Sequence, residues 1–291
     1  MTAKKDYVSL ILCYVLWGFQ PLYWAFLSDV DSFTILACRI IMAAFFSVLL
    51  LAVTGRLPEL KALLRNRQIM KLLLPAVVFL LADWAVFIVV IQSGHVLDAS
   101  LGYYINPLLL FAVGVILYKE RSTKIQFVAL AVAAVGVIIS TAAFGEFPYI
   151  SLIIAVNWGV YASLKAKIKV EGVLSIAAET LLLTPLALAF LLLFRRPEIA
   201  AFSGRDVAFL IGSGIVTALP MFLYSNCVAK FTLIVMCFAQ YLSPTFNLVC
   251  GLVQGERFSP SQLTSFAFFI AAIAVFPAGE LRHLRRGNPA S

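Results

Sequence analysis

The stretch YYINPLLLFAVGVILYKER, Tyr103 to Arg121, returns in altered form as QYLSPTFNLVCGLVQGER, Gln240 to Arg257. In both, a Tyr stands three residues before a Pro: Tyr104 before Pro107, Tyr241 before Pro244. Both then run through an apolar stretch with one central Gly (Gly114; Gly251) to Glu-Arg (Glu120-Arg121; Glu256-Arg257). The offset is 137 residues at the prolines and 136 at the glutamates. So many matches in one register predict an internal duplication. Other pairs hold a similar spacing. Trp17-Gly18 matches Trp158-Gly159, and Arg39 falls opposite Glu179.

The duplication sits in an unusually apolar chain. Of 291 residues, 63% are hydrophobic and only 12% charged, with a mean hydropathy of +1.01. A soluble domain has no use for so much apolar sequence, so an all-α integral membrane protein is expected. The net charge of +8 does not imply nucleic acid, because the cations cluster in short links between apolar runs. The five cysteines (Cys13, Cys38, Cys227, Cys237, Cys250) all lie inside apolar runs without a CxxC pair. They read as buried, reduced, small hydrophobes rather than a disulfide or zinc framework. Lys4-Lys5 precede an apolar run with no small-residue cleavage site, so that run is expected to stay as a first span.

A membrane helix needs about 20 mostly apolar residues. That ruler places ten spans near 7–27, 32–54, 70–93, 97–118, 123–143, 149–167, 173–194, 206–229, 231–254 and 260–280. With the N-terminus inside, 17 of the 22 Lys and Arg fall on cytoplasmic segments, among them Lys61, Arg65, Arg67, Lys71, Lys165, Lys167, Lys169 and Lys230. This bias predicts an even span number with both termini cytoplasmic. Five spans per half is odd, so residues 146–291 would enter the membrane upside down relative to residues 1–145. Inverted five-helix repeats around a midplane site are a build of secondary transporters.

At the level of motifs the chain resembles the EamA family of the drug/metabolite transporter superfamily, and more narrowly its RarD-type branch. The resemblance rests on Arg39, the stretch from Trp84 to Phe87, His95, LxASLGYYINPL (Leu97 to Leu108), Glu179 and Gly255 to Arg257, and it covers essentially the whole chain. Where the family pattern suggests an amide before Trp84, this chain has Asp83. The resemblance implies transport, often export, of small metabolites or drugs across the cytoplasmic membrane.

Ionisable groups within spans are costly and so are functional candidates. Asp83 is about 13 residues into span 3, near the midplane at roughly 1.5 Å per residue. It would bind substrate, carry a proton, or pair with Arg39. Arg39 and Glu179 are expected to brace the structure or to couple it. Asp98 would cap span 4 beside His95. Trp17, Trp84, Tyr103, Tyr104, Trp158, Tyr161, Tyr224 and Tyr241, with Asn106, Asn157 and Gln240, form the expected substrate wall. Asn106-Pro107 and Ser243-Pro244 should bend spans 4 and 9. Such aromatic walls suit an amphipathic organic solute, or a cation if Asp83 is ionised.

The partners expected are therefore a small-molecule substrate, membrane lipid, and a proton or other coupling ion. No cofactor, metal set, nucleophile triad, ATP-binding loop or nucleic-acid role is indicated. Two other readings stay open. One is an importer or exchanger of a quaternary ammonium or amino compound. The other is a lipid-carrier flippase.

Overall fold

The sequence folds as its hydropathy demands. A computed structural model of the chain describes residues 4–92, 96–144, 149–195, 202–253 and 259–285, and among these every regular element is helical. In chain order they are α1 (Lys4–Trp24, continued by a 3-10 turn at Ala25–Leu27), α2 (Ser32–Val53), α3 (Leu57–Arg65) and α4 (Arg67–Gln92). There follow α5 (Val96–Ile116), α6 (Lys124–Phe144), α7 (Tyr149–Ile168) and α8 (Gly172–Phe194). The last are α9 (Gly204–Val228), α10 (Leu233–Gln240), α11 (Leu242–Val253) and α12 (Pro260–Arg285).

Seven of these are long and apolar enough to cross a membrane, and the apolar parts of α5 and α12 (Gly102–Ile116, Pro260–Phe276) are shorter. Ten full-length spans are thus not established. The ninth expected span, 231–254, is two helices broken at Tyr241. Pro244 explains the break: its ring clashes with the carbonyl four residues back, at Gln240, and it brings no amide to that turn. Pro107, by contrast, is carried inside a continuous α5. The sequence reading also missed α3, which is too short to register as a span.

Helix ends follow local chemistry. Asp31 caps α2 by accepting from the Thr34 amide at 3.0 Å. Thr232 caps α10 through the Val235 amide, and Ser203 with Asp206 forms a capping box at α9. Many large apolar residues stay exposed, such as Val53 at 73% and Leu193 at 75%. In lipid this carries no hydrophobic penalty, since acyl chains are as apolar as Leu.

The chain divides into two compact units, each built from both sequence halves. One comprises Met1–Phe19, Gly94–Gly159 and Lys230–Ser291. In it α6 packs along α12, and α5 against α10. Gly136 permits the first contact, because a Cβ there would lie 2.8 Å from the Phe269 ring. The other comprises Gln20–Ser93 and Val160–Ala229. Here α2 packs on α8 and α9. Gly214 lets α9 approach the α2 backbone, where a Cβ would come within 2.5 Å of the Met42 carbonyl carbon. Without a hydrophobic drive in lipid, such small residues are how helices gain contact.

Candidate functional site

Buried charge is concentrated in the unit of α2, α4, α8 and α9. Arg39, on α2, is 6% exposed, and Asp83, on α4, is 1% exposed. The Arg39 guanidinium lies 4.2 Å from the Trp84 ring centroid and 5.3 Å from that of Trp24. A guanidinium between two indoles gains cation–π attraction from each. Arg39 is also the cation whose field acts on Asp83. Yet among the described residues neither Asp83 oxygen has a hydrogen-bond partner, so the expected direct lock between Asp83 and Arg39 is not formed as a hydrogen bond.

Glu179 is the opposite case. Fully buried on α8, it accepts from the Tyr161 hydroxyl at 3.0 Å and from the Ser175 hydroxyl at 3.0 Å. Its counter-charge is Lys165, which donates to both Glu179 and Ser175. The partner that the sequence did not reveal for Glu179 is thus Lys165, counted there only among the cations of the cytoplasmic segments. Lys165 is 2% exposed, inside the last turn of α7. The signal was available. A buried Glu needs a cation at its own depth. The short link between α7 and α8 folds Lys165 back beside Glu179. Lys167 and Lys169 disguised it as part of a loop.

Tyr161 joins these two charge sets. It bonds to Glu179, feels the charge of Asp83, and stacks on Tyr224 with ring centroids 6.2 Å apart. Asn226, on the same helix as Tyr224, takes the Gly172 amide at 2.8 Å.

The other unit holds the remaining predicted aromatics. Trp17 meets Trp158 edge to face at 5.3 Å. Tyr14, which the sequence reading did not single out, packs against Trp17 and donates to the Met236 carbonyl. Tyr104 and Tyr241 both stack on Phe269, at 4.2 and 5.3 Å, and the Tyr241 hydroxyl donates to the Tyr104 carbonyl. Asn106 donates to the Ala155 carbonyl at 2.6 Å. Its own side-chain oxygen, and that of buried Gln240, have no partner among the described residues. Tyr103 is half-buried. Asn157 lines an open, mostly apolar groove with Tyr149, Leu152, Ile153 and Val156.

At one end of this unit Glu120 accepts the amides of Leu233 and Ile234, at 2.8 and 3.0 Å, and so holds the start of α10. Burial pushes its carboxyl above the usual range, although the two amides pull the other way. Lys230 pairs with Asp6 at 2.6 Å beside the same link. His95 and Gly255 to Arg257 lie outside the described residues, as does the side chain of Asp98. Among the described residues no group of three His, Cys, Asp or Glu could hold a metal.

Comparison with known proteins gives these arrangements a family. Residues 5–142 match the EamA-like transporter family. The chain is 33% identical to the uncharacterized transporter YojE of Bacillus subtilis, over 97% of this chain and 96% of that one. It is 30% identical to protein RarD of Escherichia coli, over 98% and 99%. A solved crystal structure of a protein only 15% identical superposes with a TM-score of 0.72, covering 94% of this chain and 97% of that one, which establishes a shared fold. Near-complete coverage by RarD and YojE at this identity makes the chain a member of the EamA family of transporters, in its RarD-type branch of the drug/metabolite transporter superfamily.

Proposed function

We propose that this chain is a secondary active transporter which moves a small amphipathic organic metabolite or drug across the cytoplasmic membrane by alternating access, in the direction of export. Family membership supports transport. The observation that carries the site is Asp83: a carboxylate at mid-helix, 1% exposed, with neither oxygen hydrogen-bonded among the described residues. Leaving a buried polar group unmet costs on the order of 1–3 kcal/mol, and more if charged. A group kept at that cost awaits a partner: a proton, water, or the cationic part of a solute. Trp84, Tyr161 and Tyr224 in the same unit supply aromatic faces for the apolar part of a solute.

Ten spans in two inverted five-helix repeats, 1–145 and 146–291, remain our reading of the topology. Three packed pairs support it: α2 with α8, α5 with α10, and α6 with α12. In each, the helix from the first half occupies the place in the duplication that its partner occupies in the second. A transporter of this kind needs no ATP and draws on a solute or ion gradient. The second reading, import or exchange of a quaternary ammonium or amino compound, is favoured by the same unmatched carboxylate.

The test is a thermal-shift screen of purified protein against a metabolite library, repeated with Asp83→Asn. Ligands of the native state raise its midpoint by mass action. Hits that Asp83→Asn no longer binds, and that wild-type protein moves in proteoliposomes, are the expected result. Hits that bind both proteins equally would remove Asp83 from the site.

A further inference from the structure

The link between α2 and α4 carries a charge pattern that moving a solute does not require. α2 ends with Gly55 at φ +70°. The Gly55 amide bonds to the Ala52 carbonyl at 3.1 Å and the Arg56 amide to the Leu51 carbonyl at 2.7 Å. This paired return is a Schellman motif, and it turns the chain sharply into α3. Leu60 and Leu63 of α3 are buried, while Pro58, Lys61, Ala62 and Arg65 are exposed. The exposed four follow the three- and four-residue spacing of one helix face. Leu57, one turn before Lys61, is exposed beside them. Asn66 then caps α4 by accepting the Gln68 and Ile69 amides at 3.0 and 3.2 Å. Arg67 and Lys71, one turn apart at the start of α4, are exposed as well.

The acids nearby are already taken. Arg56 binds Glu59 in a two-pronged contact, both bonds 2.9 Å, and reaches Glu171 at 3.4 Å. Glu171 also caps α8 through the Leu174 amide. Lys61, Arg65, Arg67 and Lys71 have no ion-pair partner among the described residues. Four uncompensated cations therefore stand on a short rigid helix and the turn that follows it, with Leu57, Pro58 and Ala62 as the apolar surface beside them. Lys and Arg stems lie along apolar surface while their heads seek phosphate or water.

We propose that the exposed face of α3, with the first turn of α4, is a binding site for the phosphodiester headgroups of anionic phospholipids. The site rests on the chain's being a membrane protein and is independent of what Asp83 binds. Its position argues for lipid as the occupant. α2 and α4 are both of membrane length, so the link between their ends stands at headgroup level. Leu57 and Pro58, next to the cations, would meet the acyl boundary, as on interfacial amphipathic helices. A basic cluster directly beside a span is drawn to anionic lipid, and each cation near the surface strengthens retention about fivefold.

The test uses purified full-length protein in micelles holding equal amounts of phosphatidylglycerol and phosphatidylcholine, with retained lipids counted by native mass spectrometry. Wild-type protein should retain phosphatidylglycerol in preference, and high salt should erode that preference. Lys61→Gln with Arg65→Gln should reduce it about 25-fold while phosphatidylcholine adducts stay as they were. The swap Lys61→Arg with Arg65→Lys should keep it, which separates lost charge from lost fold. Equal retention of the two lipids by wild type would overturn the proposal. An undiminished preference in the double Gln variant would do so too. Full displacement by free inorganic phosphate would assign the cluster to a soluble anion instead.

Discussion

Tyr241 donates its hydroxyl proton to the backbone carbonyl of Tyr104 at 3.3 Å, so two residues at the same place in the duplicated stretch meet each other. Trp17 and Trp158, also counterparts, meet at 5.3 Å. Residues related by a two-fold axis touch only close to that axis, as in any self-complementary pairing. If each half has the five spans proposed above, the second half is inverted and the axis lies in the membrane plane. Reporter fusions within 144–148 should then read the side opposite to fusions at both termini. A C-terminus on the side opposite to the N-terminus would sink the topology and the inverted repeat together.

The Trp-Gly pair of each half gives a sharper expectation, because the two glycines are not equivalent in packing. A Cβ on Gly18 would meet the Phe246 Cβ at 2.4 Å and the Ser243 carbonyl oxygen at 2.8 Å. Neither can yield cheaply, and overpacking costs about 1–3 kcal/mol. At Gly159 the nearest obstacle is the Asn106 amide nitrogen at 3.7 Å. Gly18→Ala should lower the thermal midpoint in detergent. Gly159→Ala should leave it unchanged or raise it, since Ala gains roughly 0.5–1 kcal/mol over Gly in a helix. Equal destabilisation by both would contradict the packing described.

Much of this fold was legible because hydropathy, length and prolines act locally. The limits of α2, α6 and α8 fall within a few residues of those expected from sequence. What escaped depended on partners far along the chain. Lys165 looks like a loop cation until α8 folds back and places Glu179 beside it. Glu120 looks like one more charge in a link until its carboxylate is found on the amides of Leu233 and Ile234, over a hundred residues later. Nothing local marks Trp24 as half of the stack on Arg39. Hydropathy sets the depth of the aromatic residues, but it carries no information that sorts them between the two units.

The Lys165–Glu179 pair should behave as a unit. Removing one partner from a buried pair strands the other charge, at a cost of about 3–5 kcal/mol. Lys165→Met and Glu179→Gln are each expected to unfold at much lower temperature than wild type. The double variant should recover a large part of the loss, and the coupling can be read from a double-mutant cycle. Additive losses would mean that the two charges do not depend on each other.

Glu120 lies between the apolar parts of α5 and α6, outside the membrane-length segments, and makes stability depend on pH. Its folded value is raised above the ordinary 4.5, chiefly by burial. The folded state therefore holds this proton more tightly than the unfolded chain does. Its contribution is greatest below pH 4.5 and declines as pH rises from there through the folded value. Glu120→Gln should flatten that limb of a midpoint-against-pH curve. Glu120→Ala should cost about 1–3 kcal/mol at every pH, because the amides of Leu233 and Ile234 lose their acceptor.

Asp83 exposes the transport reading most directly, because its three possible partners leave different signatures. A charged carboxylate without a partner is expensive inside a protein core, and this one has no hydrogen bond among the described residues. If it balances Arg39 through space, Asp83→Asn should lower stability, and Arg39→Gln in the same protein should restore part of it. If it receives the cationic part of a solute, Asp83→Asn should keep its thermal midpoint and lose affinity for cations while neutral ligands still bind. If it carries the coupling proton, the variant should bind and exchange substrate between equal pools. It should then fail to accumulate that substrate against a pH gradient. We expect the midpoint to hold and one of the two transport defects to appear. A well-folded Asp83→Asn protein that accumulates every wild-type substrate at the wild-type rate would remove Asp83 from the mechanism.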